Sequence, residues 1–311
     1  MELRQLRSFV AVARAGSFTR AARALRVAQP ALSQHIRALE DETGVVLVQR
    51  TNRTSGLTEA GQALLARAER ILAEVHDAGE ELAAHAGLAR GTVRIGCAVQ
   101  TVLEGALPRL LAEFTSRHPG VAIAFREVHT EKVLELLGRG EIDLGLIHLA
   151  RAGSGAGDIA VGAQRAGGEI VLARLYREPL VVIAGRRHRL AARAAIALED
   201  LRDEPFVAFG PGATVRALVE AAAERRGFAP RVAFTTTNLA TVRAFVSAGL
   251  GVAVVPASAL AVPGPPLHAI RVAGLRLERT VTLARNSARY EGPAVAAMRR
   301  LLSDGLRRPR G

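Results

Sequence analysis

Leu3, Leu6, Val10 and Ala13 recur at steps of three and four, which puts them on one stripe of an α-helix that Gly16 ends. Ser17 is placed to cap a short second helix through Leu25, its hydroxyl accepting from first-turn amides. Pro30 suits the first turn of a third helix over residues 29–43, with Leu32, Ile36 and Leu39 facing inward and Gly44 as the stop. Residues 45–50 and 53–57 read as a two-stranded hairpin or wing. From residue 58 to about 87, the positions Leu64, Ala68, Ile71, Val75, Ala78 and Leu82 keep heptad spacing. That seam predicts a dimer helix; packing onto its own domain is the alternative. Gly87 and Gly91 suggest a hinge after it.

Beyond residue 91 short β-branched runs alternate with amphipathic helical stretches, the pattern of α/β units. A doubly wound half reads as strand 92–97, helix 101–117, strand 121–128, helix 131–138 and strand 142–148. Residues 151–168, rich in Gly and Ala, read as a mobile crossing loop. A second set follows: strands 170–176, 180–184 and 206–209, helix 213–226, strand 231–235, helix 238–248 and strand 251–255. Pro263-Gly264-Pro265-Pro266 breaks the pattern before two more strands and a last helix near 293–302, which can return to the first half and leave a cleft between two lobes. The expected division is a head at 1–58, a linker at 59–90 and a body at 91–311, with lobe I at 91–161 plus 267–311 and lobe II at 162–266.

Composition narrows the classes. The 311 residues, 49% hydrophobic, can hold about two domains. The net charge of +13 favours an acidic partner, and Lys132 is the only lysine among the 42 cations. Residues 1–58 carry nine Arg against four acids, whereas residues 59–90 carry three against six, so the head is basic and the segment after it is not. A single cysteine, Cys97, excludes an internal disulfide and fits a reducing cytoplasm. No uncharged apolar run reaches membrane-spanning length and no signal core follows Met1, so the expectation is a protein neither spanning a membrane nor exported.

The run Ser17-Phe18-Thr19-Arg20-Ala21-Ala22-Arg23-Ala24-Leu25, then Val27-Ala28-Gln29-Pro30-Ala31-Leu32-Ser33-Gln34, closely resembles the winged helix-turn-helix of LysR-type transcriptional regulators. The match continues through Ile36-Arg37, Leu39-Glu40, Gly44-Val45, Leu47, Arg50-Thr51, Arg53 and Leu57-Thr58-Glu59-Ala60-Gly61. Later pieces in order, Leu107-Pro108, His118-Pro119, Gly140-Glu141-Ile142-Asp143-Leu144 and Gly249-Leu250-Gly251-Val252 with Pro256, resemble the effector domain of that family. The resemblance implies an α/β protein with a winged helix-turn-helix, a long linker helix and a two-lobed, periplasmic-binding-protein-like effector domain. Two departures stand out: Val48 where the family usually has an aromatic, and a longer loop at 151–168.

On that reading Gln29, Pro30, Ser33, Gln34 and Arg37 lie on the exposed side of the third helix. Amides and hydroxyls there can read base edges in the major groove. Arg50 and Arg53 in the wing suit phosphates or a narrow minor groove. In the body, strand ends and helix N-termini around a crevice favour an anionic small molecule. The resemblance points to Thr101, seven residues before Pro108, with Gln100 beside it. Thr130, His148, Phe209 and Thr214 are further candidates; each hydroxyl also fits plain N-capping, and His148 a structural role. Cys97 reads as a buried, inert thiol.

The partners implied are double-stranded DNA, a small anionic effector and further copies of the chain as homodimer and homotetramer, without cofactor or membrane. The rival classes are a cytoplasmic two-lobed enzyme and a solute-binding protein without DNA function. The chain has no Gly-x-Ser-x-Gly elbow, no P-loop and no paired-His metal spacing. Gly155-Ala156-Gly157 imitates a dinucleotide fingerprint but follows no clear strand. The missing export signal and the DNA-type head weigh against solute transport.

Overall fold

The computed structural model describes residues 1–50, 55–85, 91–99, 105–153, 159–161 and 169–306. The chain divides into two compact units, Met1–Leu88 with Arg139–Glu141, and Ala89–Gly138 with Ile142–Gly311.

In the first unit, helices α1 (Leu3–Ala15), α2 (Phe18–Leu25) and α3 (Gln29–Thr43) enclose one core. Gly16, with φ of 58°, takes the left-handed turn that closes α1, and the Ser17 hydroxyl accepts from the Arg20 amide to start α2. Phe9, Leu32, Ile36 and Leu39 are fully buried there, each worth about 1.5–3 kcal/mol of transfer from water. The buried stripe of α1 is Leu6, Phe9, Val10 and Val12; Leu3, expected inside, is exposed. Strands β1 (Val48–Arg50) and β2 (Ser55–Leu57) pair antiparallel as the wing. Glu40 of α3 ties this wing down: its Oε1 accepts from the Leu47 and Val48 amides at 2.8 and 3.1 Å. Val48 itself is buried in the head core, so a small β-branched side chain fills the place beneath the wing.

Helix α4 (Glu59–His85) leaves the wing with little room to spare. A Cβ on Gly61 would lie 2.2 Å from the Leu47 carbonyl oxygen, so only glycine permits this approach. The heptad expectation for α4 needs correcting in its first half. Leu64 and Ala68 pack into the head core together with Leu65 and Leu72, whereas Ile71, Val75 and Leu82 are exposed. A boundary at residue 58 therefore separates elements but cuts through one hydrophobic core.

In the second unit, β3 (Gly91–Cys97), β4 (Val121–Glu127) and β5 (Leu144–Gly153) run parallel, with α5 (Ala106–Arg117) and α6 (Thr130–Gly138) as crossovers. Both faces are covered, as a parallel sheet requires. Leu144 and Leu146 share a core with α5 and the last helix, while Ile147 packs against α6. The expected loop at 151–168 is in part strand: β5 continues to Gly153 and β6 (Ile159–Val161) pairs antiparallel with it.

Two long strands link the lobes. β7 (Ile170–Ala184) is continuous, not broken into 170–176 and 180–184. Pro179 is tolerated because it sits where β7 changes partners. The late strand over residues 276–286 pairs with residues 170–179 and the strands of the second lobe take over from Leu180. After β8 (Ala195–Ile196) come β9 (Pro205–Phe209), α7 (Thr214–Glu224), β10 (Arg231–Thr236), α8 (Leu239–Ser247) and β11 (Ala253–Pro256). Then follow β12 (His268–Val272), β13 (Arg276–Asn286) and α9 (Pro293–Leu306). Alternation with a period of two is clear on β7, where Leu180, Val182 and Ala184 face α7 while Val181 and Ile183 face α8.

The lobe boundary is also corrected. β12 pairs with β7 and β8, which places it in the second lobe, and the N-terminal part of β7 lies in the first. A single cut at residue 162 fails because β7 and β13 both belong to two cores: Leu175 and Val281 to one, Leu180 and Leu277 to the other.

Candidate DNA-reading face and effector cavity

The third helix separates its two jobs by angle. Leu32, Ile36 and Leu39 are fully buried, while Gln29, Pro30, Gln34 and Arg37 are exposed and Ser33 is half-buried. The Gln29 amide donates to the Ser33 hydroxyl at 3.2 Å, one turn along the same face. Behind that face, Ser8 of α1 and His35 Nδ1 are 2.7 Å apart, fixing the rotation of α3 against α1. Arg50 continues β1, paired with Ser55; its side chain and Arg53 lie outside the described residues.

In the second unit a cavity of about 510 Å³ opens between the lobes. Four of the expected residues meet on it: Thr130 and His148 from the first lobe, Phe209 and Thr214 from the second. Gln100 and Thr101 lie outside the described residues. Three helices start at its wall, α6 at Thr130, α7 at Thr214 and α8 after Asn238. Each brings first-turn amides and the positive end of a helix dipole. The Asn238 carboxamide already accepts from the Ala240 and Thr241 amides at 2.8 and 3.2 Å. Val128, Val215 and Leu239 add apolar surface to the wall, and Glu127, His129, Thr237 and Arg279 also line it.

Two polar atoms on this wall are left over. Thr130 is 2% exposed, and neither its Oγ1 nor His148 Nδ1 has a hydrogen-bond partner among the described residues. Thr130 thus opens α6 without capping it, and its hydroxyl is available to a ligand. His148 was expected at a strand end but sits within β5, opposite Val281. Burial, with the Arg279 charge beside it, pushes its pKa down to about 3, so the ring is neutral. Cys97, at the end of β3, is wholly buried; burial pushes its thiol up to about 12, and Sγ accepts from the Val99 amide at 3.5 Å. That environment makes it inert.

Sequence reasoning missed Arg279 and Asn238 as lining residues. Asn238 had a signal, an N-cap residue directly before a helical run. Arg279 had none, being one arginine among many on a strand assigned only by exclusion.

A winged helix-turn-helix joined to a two-lobed α/β body with a cleft defines a DNA-binding regulator with an effector domain. Comparison with known proteins assigns the family. Residues 3–62 match the bacterial regulatory helix-turn-helix protein, lysR family, and residues 86–307 match the LysR substrate binding domain. The chain belongs to the LysR family of transcriptional regulators, not to an enzyme family. It is 33% identical over 304 residues to the HTH-type transcriptional regulator CfxR of Cupriavidus necator, covering 97% of this chain and 91% of that one. It is 34% identical over 283 residues to the RuBisCO operon transcriptional regulator of Allochromatium vinosum, covering 91% and 85%. Among solved structures, a full-length OxyR variant from Pseudomonas aeruginosa superposes with a TM-score of 0.69 at 26% identity, covering 99% of this chain and 95% of that one. Full-length CbnR complexed with its target DNA superposes with a TM-score of 0.62 at 26% identity, covering 98% and 100%. No helix among the described residues is long and apolar enough to cross a membrane.

Proposed function

We propose that this regulator is a cytoplasmic protein that binds duplex DNA as a homodimer, with dimers pairing into a homotetramer, and that a small anionic metabolite in the cleft biases how its heads sit. Residues 1–58 carry the reading elements, 59–90 the dimer linker and 91–311 the effector domain. Gln29, Ser33 and Gln34 meet base edges, Pro30 lies against the DNA beside them, and Arg37 meets phosphate or a guanine edge; Arg50 and Arg53 meet phosphate or the minor groove. Thr130, His148, Phe209 and Thr214 hold the effector, together with Gln100 and Thr101.

The observation that carries the effector reading is the cavity where three helix N-termini and the unpartnered, buried Thr130 hydroxyl converge. The exposed Ile71, Val75 and Leu82 of α4 support a second copy of this helix as dimer partner. Two half-sites about one helical turn apart, or a multiple of it, are expected. DNase footprinting of the neighbouring intergenic fragment tests this: a two-fold protected site from a dimer is expected, and one unsymmetrical half-site from a monomer would contradict it. Affinity should fall steeply with salt as phosphate contacts release counterions.

A further inference from the structure

A buried ion pair whose arginine lines the cavity is not accounted for by packing. Arg279 on β13 stands opposite Glu178 on β7, the two being 4% and 7% exposed. Arg279 Nε donates to Glu178 Oε1 at 2.5 Å with Nη2 of the same guanidinium 2.5 Å from that oxygen, and Glu178 Oε2 accepts from the Ser258 amide at 3.2 Å. Desolvating two charges is costly, and apolar residues of similar volume often serve stability as well or better. Stability alone is therefore a weak reason for the pair to be there.

Its location supplies a better one. The pair lies where β7 and β13 leave one core and enter the other, between Leu175 and Leu180 on one strand and between Leu277 and Val281 on the next. Arg279 is the one arginine among the described residues that line the cavity. His148, a diagonal step away across β5 and β13, is held neutral and offers a hydrogen bond but no charge. Ser258 follows β11 in the second lobe, so Glu178 grips a turn of that lobe and the guanidinium at the same time.

Resting on the reading that the cleft takes an anionic effector, we propose that Arg279 reads the effector's carboxylate and that Glu178 competes with it for the same guanidinium. A guanidinium presents five donors in a planar fork that suits a carboxylate. When a ligand carboxylate takes a share of it, Glu178 shifts its weight to Ser258, and the ligand's charge acts on the strands that join the lobes. Val128, Phe209, Val215 and Leu239 give the ligand apolar surface to rest on, while Glu127 on the same wall disfavours a second negative charge near it, so the ligand is a monocarboxylate with an apolar part.

Acetate and formate, small enough for any carboxylate subsite, are the probes, with acetamide and equal sodium chloride as controls. Thermal-shift titrations of the full-length protein give the dissociation constants. Glu178→Gln should bind acetate about tenfold more tightly than the unaltered protein, because a buried guanidinium without its counter-charge attracts an anion more strongly. Arg279→Lys, which keeps the charge and loses the fork, should bind about tenfold more weakly. Acetamide should shift neither. If Glu178→Gln does not fold, Glu178→Asp, which draws the carboxylate back by one methylene, should strengthen acetate binding about threefold. Equal acetate constants in the unaltered protein and the Glu178 variant would overturn the competition while leaving an anion site intact. No response to acetate or formate in any of them would remove the anion site, and the competition with it.

Discussion

The recognition face of α3 and the effector cavity solve opposite problems with polar side chains. On α3, Gln29, Gln34 and Arg37 are simply the positions that the core stripe of Leu32, Ile36 and Leu39 leaves outside. In the cavity, Thr130, Thr214 and Arg279 are at most 4% exposed, so their polar atoms must be satisfied by protein or by ligand. The lesson is energetic. A reading face in water can be altered at little cost to the fold, whereas a buried site ties binding to stability, and each change there moves both.

The largest effect is expected at the reading face. Gln29→Ala with Gln34→Ala should cost about 4 kcal/mol of specific DNA binding, taking about 2 kcal/mol for each base-edge pair. The melting temperature should stay within about a degree, since surface changes away from caps and cores are nearly neutral. Anisotropy titration beside a melting curve checks this, and a fall in both would mean that the face is also structural.

Next comes the seam between wing and α4. Gly61→Ala forces a methyl against the Leu47 carbonyl and should destabilise the head by about 3 kcal/mol. Circular-dichroism melting should show the loss. An unchanged transition would mean that the backbone yields at no cost.

The remaining two probe the cavity. The His148 pKa is depressed from 6.5 to about 3 by burial and by Arg279. The unfolded chain therefore takes up the proton first as pH falls, and folding stability is lost between those two values. The slope is at most about 1.4 kcal/mol per pH unit. His148→Gln should flatten that part of the stability curve in urea titrations at successive pH values; an unaltered curve would show that His148 does not titrate in this window.

The smallest and most telling is Thr130→Val, which replaces an unpartnered buried hydroxyl by a methyl of similar shape. It should raise stability by about 1 kcal/mol while weakening ligand binding. Loss of stability would mean that the hydroxyl is satisfied within the protein.

The periodicity of three to four residues sufficed for the helices of the head because the signals that start, stop and orient them are local. Helix α3 spans Gln29–Thr43 as Pro30 and Gly44 dictate, and Ser17 caps α2 as its side-chain chemistry allows. Heptad spacing failed in the first half of α4 because Leu64 and Ala68 had a nearer surface to cover, that of their own head. In the body, the expected break between strands 170–176 and 180–184 is absent, since nothing local tells that β7 runs on and changes partners at Pro179. Thr130 and Thr214 were legible because helix starts have local signals, Phe209 because it precedes a Gly-rich turn into a helix, and Arg279 was not because a strand arginine has no such signal.

What the chain's order of residues determined on its own is therefore everything set by neighbours within about a turn: helices, caps, the reading stripe and the alternation of buried strands. What only the folded arrangement decided is which distant segments meet, the pairing of Glu178 with Arg279 across a hundred residues and the junction of both lobes at their cavity. The physical reason is that the first depends on backbone geometry repeated along the sequence, whereas the second depends on strand register and core partners, which no local pattern specifies.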